Sequence, residues 1–236
     1  MKLLFPLERL ARIIIMLAVI LFIGIIGYGW YHTQTQYFIS GSPPKDLLTR
    51  IEPKTVPYDQ IKPPAVSLSD IFLTGSATSS VGIIFYGDYA DPVSDKLLLE
   101  IQNKLMAYNG RVRLIWHYLP KTTNNGDASF EAAVLSKCSR LMDPAWTVHQ
   151  VFIHGADKPL TKFDVENLAY NISNDQNNFY ACLKNATVRA QIALEAETAR
   201  GDGIDKAPFI FVGTQAIPSQ QASSTKIFNV LQNYLQ

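Results

Sequence analysis

The chain has 236 residues, 21 basic and 20 acidic side chains, and a formal net charge of +1. A balance this even, with no basic tract, leaves no electrostatic footing for nucleic acid. There is no internal repeat, no Gly-rich phosphate loop and no His/Cys cluster at metal-ligand spacing, so no metal or other cofactor is expected.

In chain order, Ile13 to Tyr31 carries no charged residue. That length suffices to cross a bilayer as a helix. Tyr28, Trp30 and Tyr31 lie at its distal end, where aromatic side chains favour the interface. Lys2, Arg9 and Arg12 precede it, which predicts a cytoplasmic N-terminus (1–12), a transmembrane anchor (13–31) and export of everything after it. The predicted location is the cell membrane, single-pass, with the domain in the periplasm or at the cell surface. A cleaved signal peptide is the competing reading, but no small-x-small cleavage site follows cleanly. Residues 32–65 contain Pro43, Pro44, Pro53, Pro57, Pro63 and Pro64 and read as an extended stalk. A single domain is expected from residue 66 to 236, long enough to bury its own core.

Within the domain, 66–75 leads into a first strand. The apolar run Ile83-Ile84-Phe85-Tyr86 is a second strand, ending at Gly87 and Asp88. Leu97, Leu98, Ile101 and Leu105 recur at helical spacing, which predicts a helix from Pro92 to Tyr108, closed by the turn pair Asn109-Gly110. Residues 111–118 alternate, with Val112, Leu114, Trp116 and Tyr118 on one face, and read as a strand stopped by Pro120. The loop 121–127 is polar and mobile in character. Residues 128–200 read as mostly helical. A strand follows Pro208, residues 215–217 form its antiparallel partner, and a helix over 224–235 closes the chain behind Ser223 or Ser224 as cap.

Two segments carry the functional signal. The first is Gly87-Asp88-Tyr89-Ala90-Asp91-Pro92-Val93-Ser94, a turn that opens a helix. Asp91 is a good N-cap and Pro92 suits the first helical position, so the plain reading is a well-capped helix start. A binding or acid–base role for Asp88, Asp91 and Asp95 is the alternative. The second is Gly203-Ile204-Asp205-Lys206-Ala207-Pro208-Phe209-Ile210-Phe211-Val212-Gly213.

Together, in this order and with a helical stretch between them, these segments resemble the DsbA family of disulfide oxidoreductases. The resemblance implies an α/β thioredoxin-like fold with a helical insertion at about 128–200. In that family the turn reads Cys-Pro-x-Cys; here the four positions are Asp91, Pro92, Val93 and Ser94. A thiolate at a helix N-terminus is stabilised by free N–H groups and the helix dipole, and it attacks a disulfide. Asp91 cannot do so, and Ser94 has no neighbouring base in sequence. The second segment resembles the family's Gly-Thr-Pro-x-x-Phe stretch. That likeness implies a cis proline at Pro208, preceded by Ala207, with a backbone edge that pairs with an extended peptide. Trp146, His149 and Phe152 match the family's Phe-Trp-x-x-His-x-x-Leu-Phe stretch and read as insertion core.

The chain has two cysteines, Cys138 and Cys182, in separate helix-like segments. In an exported domain such a pair reads as one structural disulfide. Two buried free thiols and a redox-active pair are the alternatives. The resemblance adds that some DsbA-like proteins carry a second, non-catalytic disulfide in the insertion. The expected function is a membrane-anchored, extracytoplasmic module that binds peptides or envelope proteins as a chaperone or scaffold, without dithiol chemistry. A thiol–disulfide oxidoreductase is the alternative. A glutathione-dependent transferase or isomerase comes next, because a glutathione-using branch of the fold carries Ser-Pro-x-Ser. Asn171-Ile-Ser173 and Asn185-Ala-Thr187 match the glycosylation acceptor pattern.

Overall fold

A computed structural model describes residues 16, 24, 56–67, 70–141, 145–154, 160–172 and 176–236. Apart from Met16 and Gly24, the expected anchor at 13–31 lies outside the described residues, as does most of the expected stalk. Among the described residues no helix is long and apolar enough to cross a membrane.

The domain is built on a five-stranded sheet of order β1-β3-β2-β4-β5. Its strands are β1 (Ile71–Thr74), β2 (Val81–Gly87), β3 (Val112–Tyr118), β4 (Phe209–Val212) and β5 (Gln215–Ile217). β2 and β3 run parallel, while β1, β4 and β5 join antiparallel to their neighbours. Helix α1 (Pro92–Leu105) crosses between the two parallel strands. Between β3 and β4 come α2 (Ala128–Leu141), α3 (Ala145–His154), α4 (Lys162–Ile172), α5 (Gln176–Leu183) and α6 (Ala186–Gly201); α7 (Ser224–Leu235) closes the chain. The helical stretch expected at 128–200 is thus an insertion in an α/β frame, with five helices among the described residues.

The central strands are buried on both faces, so β2 reads as a continuous apolar run rather than an alternation. Alternate residues still divide between two cores. Ile83 and Phe85 join Leu114, Trp116, Ile210 and Val212 under α1, α7 and the insertion. Ile84 and Tyr86 join Ile115, Phe209 and Phe211 on the opposite face, covered by Ala196 and Ala199 of α6.

Ile61 also belongs to that second core and is only 4% exposed. Val56 packs against the same cluster, and the Tyr58 ring lies 6.1 Å from that of Phe209. The expected domain start at residue 66 is therefore too late. The apolar residues among the stalk's prolines have a sheet face to cover, so residues 56–61 are part of the domain. The loop 121–127 also differs from the mobile character expected. Arg189 of α6 donates to Asn125 Oδ1 at 2.9 and 3.0 Å and pairs with Glu131, whose Oε1 accepts from Gly126 N–H. Polar residues there are anchors, which composition alone does not distinguish from solvated chain.

Cys138 on α2 and Cys182 on α5 form a disulfide with a Cα–Cα distance of 5.8 Å. It joins the first insertion helix to the fourth, and Cys138 is fully buried. Gly87, at the end of β2, is held to glycine by space: a Cβ there would lie 2.1 Å from the Trp116 ring. That ring is buried and stacks with both Phe85 and Tyr89, so it has nowhere to move.

Two stability measurements check this packing. Gly87→Ala should lower unfolding free energy by roughly 1–3 kcal/mol in urea titrations, the usual cost of overpacking a core. Reducing the disulfide, which spans 44 residues, should cost about 4 kcal/mol by loop-closure entropy. Unfolding curves that coincide with and without reductant would contradict that second value.

Candidate functional site

The turn after β2 is organised by carboxylates that do three different jobs. Asp88 is 5% exposed. Its Oδ1 accepts from Ala90 N–H at 2.9 Å, and its Oδ2 accepts from Lys121 N–H at 2.9 Å and Ser129 Oγ at 2.7 Å. It thereby clasps the turn to the start of the insertion. Burial raises its pKa, with a further push from the Asp91 charge, and the hydrogen bonds from Ser129, Ala90 and Lys121 offset only part of the rise.

Asp91 is the N-cap of α1. Its side chain accepts from Val93 N–H at 3.3 Å and Ser94 N–H at 3.1 Å, and Pro92 occupies the first helical position. Ser94 is fully buried, and its hydroxyl donates to Asp91 Oδ2 at 2.7 Å. The two positions that resemble a nucleophilic and a resolving cysteine are therefore closed on each other. The hydroxyl a glutathione-type site would need is spent inside the turn. Val93, between them, is 60% exposed.

Asp95 is 2% exposed, and its Oδ1 has no hydrogen-bond partner among the described residues. Burial first, then the charges of Asp88 and Asp91, push its pKa up to about 9. At neutral pH it is a protonated acid buried in the first turn of α1. The cluster Asp88/Asp91/Asp95 is thus a clasp, a cap and a neutral acid. Among the described residues no group of three or more His, Cys, Asp or Glu is arranged to hold a metal ion.

The Ala207–Pro208 peptide bond is cis. β4 follows at once, and its register pairs Phe209 with Tyr86 of β2. One further step of that antiparallel register sets Pro208 beside Gly87, where the turn begins. Pro208 is buried and Ala207 half-buried. The Ala207 carbonyl accepts from Ser219 Oγ at 3.3 Å. The fold thus brings the 91–94 turn and the 207–208 loop to one end of the sheet. The cysteine pair lies on the insertion helices α2 and α5.

Sequence reasoning assigned His149 and Phe152 to the insertion core, and both are buried there; Trp146 lies outside the described side chains. It missed Tyr89, which touches β3 and the insertion at once. Tyr89 stacks on Trp116 at 4.6 Å, and its hydroxyl lies 2.8 Å from His149 Nδ1 and 3.2 Å from Ser136 Oγ. An aromatic residue beside a turn gives no signal of partners so distant in sequence. Asn185, of the second acceptor triplet, caps α6 by accepting from Thr187 and Val188 N–H.

Asp95 gives a pH dependence with a definite sign. An unfolded Asp titrates near 3.9, whereas the folded group holds its proton up to about 9. The folded state binds the extra proton over that window, so stability is greatest below the lower value and falls as pH rises to the upper one. Asp95→Asn should remove this slope. The variant should exceed the parent by at least ~1 kcal/mol at pH 8 and by less at pH 5, measured by urea unfolding at each pH.

A thioredoxin family model matches residues 68–229. No curated protein matches the chain. Among solved structures, a thioredoxin-like oxidoreductase from Silicibacter pomeroyi DSS-3 is similar with a TM-score of 0.59 and 19% identity, covering 71% of this chain and 92% of that one. BdbD from Bacillus subtilis gives 0.56 and 20%, covering 69% and 91%. The thiol-disulfide exchange protein alpha-DsbA2 from Wolbachia pipientis gives 0.56 and 19%, covering 72% and 88%. At these identities the likeness concerns the fold. The matched family, the cis-proline loop beside the 91–94 turn and the helical insertion between β3 and β4 agree: this chain belongs to the thioredoxin family, with a DsbA-like fold.

Proposed function

We propose that this DsbA-like domain binds extended peptides or envelope proteins beside the Pro208 loop, as a chaperone-like or scaffolding module, and performs no dithiol exchange. One observation carries the reading. The turn that would present a thiolate is closed by the Asp91–Ser94 hydrogen bond, and both sulfurs of the chain are bonded to each other in the insertion. A thiolate at the turn needs a sulfur, and none is there. Peptide docking on this fold needs a backbone edge and an apolar contact, and neither depends on sulfur. Val93 is exposed for such an apolar contact, and the cis-proline loop beside the turn is where the proposed edge would lie.

The module is further proposed to sit on the outer side of a membrane, held by the uncharged segment 13–31, with the basic residues before it inside. The second reading, thiol–disulfide exchange, draws on the names of similar structures, which include oxidoreductases and a thiol-disulfide exchange protein. It would have to work through Cys138–Cys182. Cys138 is fully buried and Cys182 half-buried, so an external thiolate could reach this bond at the Cys182 sulfur only.

The two readings part in an insulin-reduction assay run beside peptide binding by fluorescence anisotropy. The parent chain should leave insulin unreduced and bind unfolded peptides. An Asp91→Cys/Ser94→Cys variant should acquire reductase activity, because the rest of the turn is in place. Reduction of insulin by the parent, lost in Cys138→Ser, would establish the oxidoreductase instead. Absence of binding to any unfolded peptide would remove the docking module.

A further inference from the structure

A cleft of about 230 Å³ opens between β1 and the insertion, lined by Asp70, Ile71, Phe72, Leu73, Tyr89, Ser136, Arg140 and His149. That is far above the ~10–15 Å³ that one water occupies. It is below the roughly 300–1,000 Å³ of sites for drug-sized ligands. The space suits a small molecule. One wall is apolar, formed by the β1 side chains. The polar lining is a guanidinium, two hydroxyls, an imidazole and Asp70, whose carboxylate is engaged by Ser67 N–H.

Arg140 decides the charge of the occupant. It is half-buried, and among the described residues no carboxylate lies within ion-pair distance of it. Its described hydrogen bond runs from Nη2 to the Asp70 carbonyl at 3.3 Å. The Asp70 carboxylate accepts from Ser67 N–H instead. A cation partly withdrawn from water, with no ion pair among the described residues, is costly, and an anion in the cleft offsets that cost. The planar guanidinium fits a carboxylate in particular.

The hydroxyls form a chain on the same wall. Tyr118 Oη lies 3.1 Å from Ser136 Oγ, which lies 3.2 Å from Tyr89 Oη, which lies 2.8 Å from His149 Nδ1. All four side chains are buried. Burial raises the Tyr118 pKa, while Ser136 and then Arg140 oppose this, which puts the guanidinium within electrostatic reach of the chain. A row of buried O–H groups that reorient together presents a donor to an incoming oxygen without leaving others unsatisfied.

We infer that this cleft binds a small organic carboxylate with a short apolar body, its charge held by Arg140 and its chain laid against Ile71, Phe72 and Leu73. The site is separate from the peptide-docking loop at Pro208 and does not rest on that reading. Tyr89 lies in both the cleft and the turn leading to Asp91, so an occupant contacts the element that positions the 91–94 turn.

Hexanoate is the probe, titrated into the full-length chain and followed by calorimetry and amide chemical shifts. Hexanol and hexylamine serve as controls. Hexanoate should saturate with a Kd of about 1 mM or tighter, hexanol and hexylamine should not, and shifts should centre on Leu73, Ser136 and His149. Arg140→Met should weaken hexanoate at least about tenfold, or ~1.4 kcal/mol. Tyr89→Phe, which keeps the ring, should cost less. Thermal melts establish that each variant is folded, and Arg140→Lys, with its charge kept, covers failure of the Met variant by retaining part of the affinity. A short peptide tested with free and amidated C-termini identifies the source of the carboxylate: binding of the free form alone extends the site to chain ends. Equal binding of hexanoate and hexanol, undiminished binding by folded Arg140→Met, or shifts centred elsewhere would each overturn the inference.

Discussion

Trp116 is the contact on which the rest of the site depends. Its indole is buried at the centre of β3, stacks with Phe85 from the neighbouring strand and with Tyr89 from the turn, and fills the space a side chain at residue 87 would need. Interiors packed to crystal-like density leave such a ring no alternative position. The end of β2, the course of the turn and the place of Tyr89 are therefore set together. Tyr89 then reaches His149 and Ser136, so the orientation of the insertion is tied to the same ring.

Onto that apolar framework the chain adds polar locks of short reach. Asp88 binds donors from the turn itself and from residues 121 and 129, and Asp91 satisfies the free N–H groups that open α1. Helix N-termini favour negative charge whether its source is a thiolate or a carboxylate. This explains how a fold that resembles a disulfide enzyme keeps its turn with both sulfurs absent. The helix terminus needs an acceptor, and Asp91 provides one that Ser94 reinforces. Asp95 beside it is the exception: a buried acid whose cost is met by remaining protonated.

The cysteines illustrate how an isolated pair finds a structural use. Among the described residues five helices form a long excursion between β3 and β4 and pack on the sheet. The Cys138–Cys182 bond joins the first of them to the fourth, while Arg189, Glu131 and Asn125 tie the sixth helix of the domain back to the loop before the second. Ile61 and Val56 cover the other sheet face from outside the expected boundary. Each of these ties joins segments far apart in sequence.

Local pattern determined the elements. The apolar run of β2, the alternation of β3, the helical spacing of Leu97, Leu98, Ile101 and Leu105, and the caps Asp91 and Ser223 are properties of neighbouring residues, and the elements formed where they lie. The order of the two motifs, with helices between them, was enough to point to the family. Tertiary structure alone decided the rest. The burial of Asp95, the clasp at Asp88, the anchored loop at 121–127, the domain's hold on residues 56–61 and the cleft at Arg140 each depend on a partner tens of residues away or on the shape of the packed interior. Charge and hydrogen-bonding potential are written in the sequence, but whether water or protein answers them is settled only when the chain is folded.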